Sequence, residues 1–136
     1  SYIERLGTRD VLTGLKNRNC YEQEFESYAE AGVDTIACVF IDVNGLHEMN
    51  NEHGHDAGDA MLRAVDDEIR STFDGSRFYR IGGDEFAVIL KGEDFENRET
   101  LLTSLRRRVE ENVRVGEGPV VASGLAEYQP GVDHLV

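Results

Sequence analysis

One stretch near the middle of the chain limits the possible folds more than any other, because it has the pattern of a β-hairpin. Residues 77–81 and 87–90 are short and rich in β-branched and aromatic side chains, and the dipeptide Gly82-Gly83 follows the first of them. Glycine adopts positive φ without steric cost, so the chain can reverse tightly and a ligand can lie against the turn. The dipeptide Asp84-Glu85 follows, although Asp and Glu are poor strand residues. A solvated acidic turn is the simplest interpretation, and a ligand site is the alternative.

Hydrophobic periodicity along the rest of the chain predicts an alternation of helices and strands. The helices are predicted at residues 19–31, around Leu46 and Met49, at 58–73 and at 97–113, and the further strands at 35–41 and 120–126. A strand–helix–strand crossover requires parallel pairing, whereas a hairpin is antiparallel. We therefore predict an α+β fold with a mixed, mostly antiparallel sheet flanked by helices, of the ferredoxin-like or polymerase-palm kind.

Composition narrows the class of protein further. The 136 residues are expected to form a single domain, and the formal net charge of −13 argues against a nucleic-acid-binding surface. An anionic ligand would need cations in order to approach. The longest apolar run, residues 36–41, is far too short to span a membrane, and no signal-peptide pattern is present, so we expect a cytoplasmic segment without membrane contact. Two cysteines, Cys20 and Cys38, indicate neither a disulfide framework nor a zinc site.

A second acidic position accompanies the hairpin. The predicted strand at 35–41 ends at Asp42, so Asp42, Asp84 and Glu85 converge if this strand lies beside the hairpin. Carboxylates in one place repel each other unless they share a cation, and Mg²⁺ held by one or two carboxylates plus substrate phosphates suits this set. A calcium loop is rejected, because Leu46 and His47 stand where an EF-hand needs an oxygen ligand and a glycine.

The histidines between residues 47 and 55 make zinc the other candidate metal. His47, His53 and His55 have irregular spacing and no cysteine near them, so surface or capping roles on helices are favoured.

Three motifs, taken together, resemble one known family. Residues 82–86 spell its Gly-Gly-Asp-Glu-Phe signature, residues 10–18 look like its N-terminal motif, and residues 42–59 follow its pattern of Asp, Asn, Gly-His and Gly-Asp. The chain is thus similar to the GGDEF family, the bacterial diguanylate cyclases, from about residue 8 to residue 126. The resemblance implies the nucleotidyl-cyclase form of the palm fold.

The resemblance also implies an activity and partners. It implies that two GTP molecules condense into cyclic di-GMP and pyrophosphate, each GTP being held by one subunit of a homodimer. The 3′-hydroxyl of one GTP attacks the α-phosphate of the other, with two Mg²⁺ ions, or Mn²⁺ in their place, per active site. A sensor or other signalling domain is expected on the N-terminal side in the parent protein, which can itself be membrane-anchored.

The family's site residues carry over position by position. The implied metal ligands are the carboxylates of Asp42 and Asp84 and the carbonyl of Val43. The implied catalytic residues are Asp84, with metal and general-base roles, and Glu85, which supports deprotonation of the 3′-hydroxyl. The implied substrate-binding residues are Asn44, Gly45, Leu46, Gly82 and Gly83 along the phosphates, and Asn50, His55 and Asp59 around guanine.

Several positions depart from the family. His47 stands where the family usually has Lys, and Asn51 stands where it usually has Asp. Phe73 and Ser76 occupy the two key positions of the product-inhibition motif Arg-x-x-Asp, so we expect that inhibitory site to be absent. The 136 residues also stop before the final family helix, which normally carries basic side chains for the β- and γ-phosphates. The alternative function is therefore a degenerate GGDEF module that binds GTP or a partner and regulates without catalysis.

Overall fold

The computed structural model describes residues 7–74 and 77–128, which form a five-stranded sheet with helices on both faces. In chain order the elements are β1 Lys16–Asn17, α1 Arg18–Glu30, β2 Ile36–Val43, α2 Leu46–His53, α3 His55–Thr72, β3 Arg77–Arg80, β4 Glu85–Lys91, α4 Glu93–Glu96, α5 Arg98–Val115 and β5 Val121–Glu127. The predicted α+β fold is confirmed. The sequence analysis missed only β1 and α4, which have 2 and 4 residues and are too short to show a periodic pattern.

The strand order is β1-β3-β4-β2-β5, and every neighbouring pair is antiparallel except the parallel pair β1–β3. The sheet is therefore mixed and mostly antiparallel, as predicted. The reason for the mixture differs from the predicted one. Strands β2 and β3 do run in the same direction, but β4 folds back from the hairpin and lies between them, so they are not neighbours. The parallel pair comes instead from the short β1 at the sheet edge.

Alternation along β2 sends its side chains to two different cores. Ala37, Val39 and Ile41 face one core, and the alternate residues Ile36 and Cys38 face the other. The first core lies under α3 and α5. The buried side chains that these helices contribute, including the residue that follows α3, are Leu62, Val65, Ile69, Phe73, Leu102 and Leu105. The apolar stripes of both helices therefore face this core, with Met61 and Leu101 partly buried at its border.

The second core lies under α1. Tyr21 and Phe25 of this helix are buried against β2, and the Tyr21 ring meets Tyr79 of β3 edge-on at a centroid distance of 5.3 Å. The Tyr21 hydroxyl donates to Cys38 Sγ at 3.7 Å, and burial raises the pKa of the Cys38 thiol to about 12. Both members of this pair are therefore uncharged at neutral pH.

One carboxylate is built into the same face of the sheet. Glu24 of α1 accepts hydrogen bonds from Lys16 Nζ and the Tyr79 hydroxyl, and its side chain is only 23% exposed. Burial alone raises the pKa of Glu24, but the hydrogen bonds from Lys16 and Tyr79 outweigh it and hold the pKa below its usual value. This polar contact joins α1 to the edge strand β1 and to its neighbour β3.

Among the helices in the described ranges, none is long and apolar enough to cross a membrane.

We predict that Glu24→Gln lowers stability by about 1–3 kcal/mol near neutral pH, because its hydrogen bonds lose their charge assistance. The folded-state pKa is depressed, so this contribution is present above the unfolded pKa of about 4.3 and is lost as pH falls through the folded pKa. Urea unfolding should therefore give a difference between wild type and variant that shrinks on acidification. Glu26→Gln, at an exposed position of α1, is the control and should change little. A Glu24 difference that is the same at every pH would contradict the prediction.

Candidate active site

The ladder between β2 and β4 positions the acidic residues of the site. Its register places Asp42 directly opposite Glu85, the first residue of β4. One step further, the Val43 N–H donates to the Asp84 carbonyl at 2.8 Å. The structure therefore brings the end of β2 beside the hairpin tip, which is the arrangement that the sequence required for a shared site.

A cleft of about 470 Å³ opens between this edge of the sheet and α1. It is lined by Arg18, Tyr21, Phe40, Ile41, Asp42, Ile81, Glu85, Phe86, Ala122, Ser123 and Gly124. Asp42 and Glu85 are both exposed here, and Arg18 is the one basic residue of the lining. The cleft thus combines two carboxylates that have no ion-pair partner among residues 7–74 and 77–128 with the aromatic side chains of Tyr21, Phe40 and Phe86. Nothing in the sequence indicated that Arg18 or these aromatic residues line the site.

The glycine turn is held in place by Arg80. Arg80 Nη1 donates to both carboxylate oxygens of Asp10, at 3.0 and 3.2 Å, and Nη2 donates to the Gly83 carbonyl at 2.7 Å. Asp10 also accepts from the backbone N–H and the hydroxyl of Thr13, both at 2.7 Å. One guanidinium therefore ties the N-terminal motif to the signature turn. Together they border a second cleft, which Arg18, Gly82 and Gly83 also line.

The electrostatics of Asp10 agree with this arrangement. Burial alone raises the pKa of Asp10, but the hydrogen bonds from Thr13 and the positive charge of Arg80 outweigh it, so the pKa lies below its usual value. Asp10 is thus a stable anion in the folded protein. No local pattern pairs two residues that are 70 positions apart, and the only signal in the sequence is that Asp10 begins the N-terminal motif and Arg80 stands two residues before the signature.

The described residues contain no group of three or more His, Cys, Asp or Glu side chains that is arranged to hold a metal ion. The structure therefore does not gather Asp42, Asp84 and Glu85 into a complete all-protein cage. It does place two carboxylates at the hairpin tip, and Mg²⁺ usually takes one or two carboxylates and completes its shell with water and substrate phosphates. The donor chemistry accordingly fits a cation that is shared with an anionic substrate.

The residues expected around guanine lie elsewhere, where α2 meets α3. Asn50 packs its side chain directly on Gly58, since a Cβ at residue 58 would stand 1.7 Å from Asn50 Oδ1. The left-handed Gly54, with φ of 89°, separates the two helices, and its N–H donates to the Asn50 carbonyl at 3.0 Å. Asp59 is half-buried next to Gly58, and His55 is exposed at the start of α3. These three residues do not line the carboxylate cleft.

The segment expected to follow the phosphates joins β2 to α2. The Asn44 N–H donates to the Val120 carbonyl at 3.0 Å, which fixes the segment against the start of β5. Gly45, with a φ of 77°, is the N-cap residue of α2, and Leu46 packs against the main core. The hydrogen bond of Asn44 and the packing of Leu46 therefore hold the backbone of this turn in place.

Two positions that depart from the family contact each other. His47 and Asn51 are exposed one turn apart on α2, with 3.1 Å between His47 Nε2 and Asn51 Nδ2. A hydrogen bond from the amide to the ring requires an unprotonated Nε2. Phe73 is fully buried in the main core, whereas Ser76 falls outside the described residues.

Comparison with known proteins agrees with the fold and the motifs. Residues 8–129 match the family described as diguanylate cyclase, GGDEF domain, so this chain belongs to the GGDEF domain family. It is similar to the diguanylate cyclase DgcS of Shewanella oneidensis, with 36% identity over 61% of this chain and 29% of DgcS. It is also similar to the "Probable diguanylate cyclase DgcC" of Escherichia coli K12, with 30% identity over 97% of this chain and 38% of DgcC.

A solved structure gives the same picture. The GGDEF domain of DgcB from Caulobacter crescentus, solved in complex with c-di-GMP, superposes with a TM-score of 0.75 and 29% identity. The match covers 91% of this chain and 79% of that one. The chain thus spans most of a GGDEF domain, but less than two fifths of the curated relatives DgcS and DgcC.

We predict that Arg80→Ala lowers stability by about 2–3 kcal/mol, because it leaves the mostly buried Asp10 without its cation. Arg80→Lys keeps the charge but cannot reach Asp10 and Gly83 at once, so it should recover only part of the loss. Chemical denaturation measures both. Arg114→Ala removes an exposed ion pair with Glu111 and serves as the control, with no measurable change expected. Full recovery in Arg80→Lys would show that the two-armed geometry does not matter.

Proposed function

We propose that this domain condenses two GTP molecules into cyclic di-GMP and pyrophosphate, as a diguanylate cyclase that works as a homodimer. The observation that carries the proposal is the register that sets Asp42 opposite Glu85 beside the Gly82-Gly83 turn. Membership of the GGDEF family supports the same reaction at the level of the family. In the proposed reaction the 3′-oxygen of each GTP gives up its proton and bonds to the α-phosphorus of the other GTP, and the bond from each α-phosphorus to pyrophosphate breaks, so two pyrophosphates leave.

Each acidic residue has a proposed role in that step. Asp42 and Asp84, with the carbonyl of Val43, would hold the divalent cations, Mg²⁺ or Mn²⁺. When bound, these ions neutralise phosphate charge and stabilise the attacking and leaving oxygens. Glu85 lies at the mouth of the cleft and supports removal of the proton from the 3′-hydroxyl, a role shared with Asp84. The glycine turn lets the phosphates approach the backbone closely.

Charge explains why a cation is needed at all. The chain has a formal net charge of −13, and GTP is itself a polyanion. Like charges directly opposite on neighbouring strands destabilise a sheet, so the Asp42–Glu85 pair costs stability while no cation is bound. A charge repulsion that lowers the stability of the folded protein, and that a bound cation relieves, is typical of a functional site.

The first test is loss of turnover. We expect Asp84→Ala, in the parent protein, to reduce Mg²⁺-dependent formation of cyclic di-GMP by at least about a hundredfold, because charge stabilisation in the transition state is lost. Chromatographic separation of the nucleotide products measures it, and the circular dichroism spectrum should be unchanged. Asp67→Ala is the matched control, since Asp67 is exposed on α3 and does not line the cleft. Equal turnover in wild type and Asp84→Ala would remove Asp84 from the reaction.

The second test separates base recognition from phosphate chemistry. The Asp59 carboxylate can accept from the guanine N1–H and the 2-amino group, which adenine lacks in that arrangement, and Asn50 provides further polar atoms. Gly58→Ala would force the Asn50 side chain to rotate, yet alanine favours a helix by about 1 kcal/mol relative to glycine. We therefore expect a stable variant whose affinity for GTP falls by about tenfold or more while its affinity for ATP does not change.

Calorimetric titrations with Mg²⁺ and each nucleotide measure this effect. Ala60→Gly is the control, because it alters helix propensity at an exposed position of α3 without touching Asn50. Equal losses for GTP and ATP would mean that Asn50 does not read the base.

A second candidate function is a regulatory GGDEF module that binds GTP without condensing it. The observation that favours it is the contact of His47 with Asn51, since these two residues stand where the family usually has Lys and Asp. Binding of GTP by the parent protein with no cyclic di-GMP formed would select this function. Synthesis that appears only in His47→Lys would identify the missing charge as the cause.

A further inference from the structure

A group of basic residues lies away from the carboxylate cleft. Arg9, Lys16, Arg70 and Arg77 line a cleft of about 230 Å³, with Leu15 and Phe78. The whole chain has only 14 Lys and Arg residues against 27 Asp and Glu residues. Four cations around one small cleft are therefore unexpected in so acidic a protein, because they repel one another unless anions compensate them.

The protein's own carboxylates compensate only part of this charge. Glu24 serves two of the cations, bonding to Lys16 and lying 4.0 Å from Arg77 Nη1, which is too long for a hydrogen bond. Asp66 accepts from Arg70 Nε at 2.9 Å. Arg9 contacts the Gly14 carbonyl at 3.4 Å and has no carboxylate partner in the described part of the chain. The cleft thus sets four positive charges against two negative ones.

Arg70 and Arg77 also have N–H donors that are available to a ligand. The side chains of Arg70 and Arg77 are 47% and 45% exposed, and Arg70 uses only Nε for its bond to Asp66. Its guanidinium also lies over the Phe78 ring, 5.7 Å from the centroid, and this contact orients it. Both terminal nitrogens of Arg70 therefore have no protein partner among residues 7–74 and 77–128.

We propose that this basic cleft binds a phosphate or diphosphate group. Planar guanidinium donors match phosphate oxygens in pairs, and several of them around one cleft favour a multiply charged anion. At about 230 Å³ the cleft is smaller than the usual 300–1,000 Å³ pocket of a drug-sized ligand, so it fits the anionic group better than a whole nucleotide.

The basic cleft is separate from the candidate active site. Arg77 pairs with Ile89 in the ladder between β3 and β4, and Ile89 is four residues beyond Glu85. At about 3.4 Å per residue, that is roughly 13 Å along the strand. Binding at the basic cleft can therefore be measured independently of cyclisation, and it stands or falls separately from the proposed cyclase activity.

The experiment is a calorimetric titration of the chain with pyrophosphate in EDTA, without GTP, so that no divalent cation can attach the anion to the carboxylates. We expect saturable binding of one pyrophosphate, weakened by added salt. Arg9→Gln and Arg77→Gln should each lower the affinity by about tenfold or more, because each removes charge-assisted donors. Arg107→Gln, at an exposed position of α5, removes the same charge outside the cleft and should change the affinity less than twofold.

Further arms identify the source of the anion. Inorganic phosphate should bind more weakly than pyrophosphate because it carries less charge. GTP that binds with the same dependence on Arg9 and Arg77 would assign the cleft to the phosphates of a nucleotide, and GTP that does not bind would assign it to the free anion. No saturable binding, an equal loss in Arg107→Gln, or a loss in Arg18→Gln in place of the Arg9 and Arg77 variants would overturn the proposal.

Discussion

The antiparallel pairing of β2 with β4 is the constraint on which the rest of the structure depends. These are the two buried strands at the centre of the sheet, and their alternation decides which side chains meet α1 and which meet α3 and α5. The same register ends with Asp42 opposite Glu85. A slip of one residue would exchange the two cores and separate these carboxylates, so the packing of apolar side chains fixes the position of the acidic ones. Fold and candidate site are therefore specified by one set of contacts.

Residues with strong local patterns made the fold predictable. The apolar run of β2 and the stripes of α3 and α5 each reflect a nearby physical preference, and the structure agrees with them. The predicted hairpin also forms, but neither Gly82 nor Gly83 takes the positive φ expected for its turn. Contacts between distant segments gave no such signal. The bridge from Asp10 to Arg80 joins positions 70 apart, and the insertion of β4 between β2 and β3 depends on how the hairpin packs as a whole. The proximity of Asp42 to the hairpin could be predicted by assuming that β2 lies beside the hairpin. No sequence pattern predicts that the Asn50 side chain packs on Gly58.

The acidic chain places its cations at points of contact between elements. Arg80 connects the N-terminal turn to the glycine turn, and Lys16 connects β1 to α1 through Glu24. Arg106 donates from α5 to the Ser123 carbonyl of β5 at 2.9 Å. The carboxylate cleft, by contrast, has two acidic residues facing Arg18 alone. Arg80, Lys16 and Arg106 are thus engaged in contacts within the protein. An anionic ligand at the carboxylate cleft therefore needs cations from solution, and its binding should be sensitive to ionic strength.

The pair formed by Tyr21 and Cys38 has a consequence for the chemical reactivity of the folded protein. Burial raises the pKa of the Cys38 thiol to about 12, so at neutral pH it contains far less thiolate than a free cysteine, and Cys38 is also fully buried. An alkylating reagent can reach Cys38 only when the centre of the sheet separates from α1. Cys20 is only half-buried on the same helix. The natural sequence therefore contains two thiols of different accessibility, and the slower one reports how often the central strand opens in the native state.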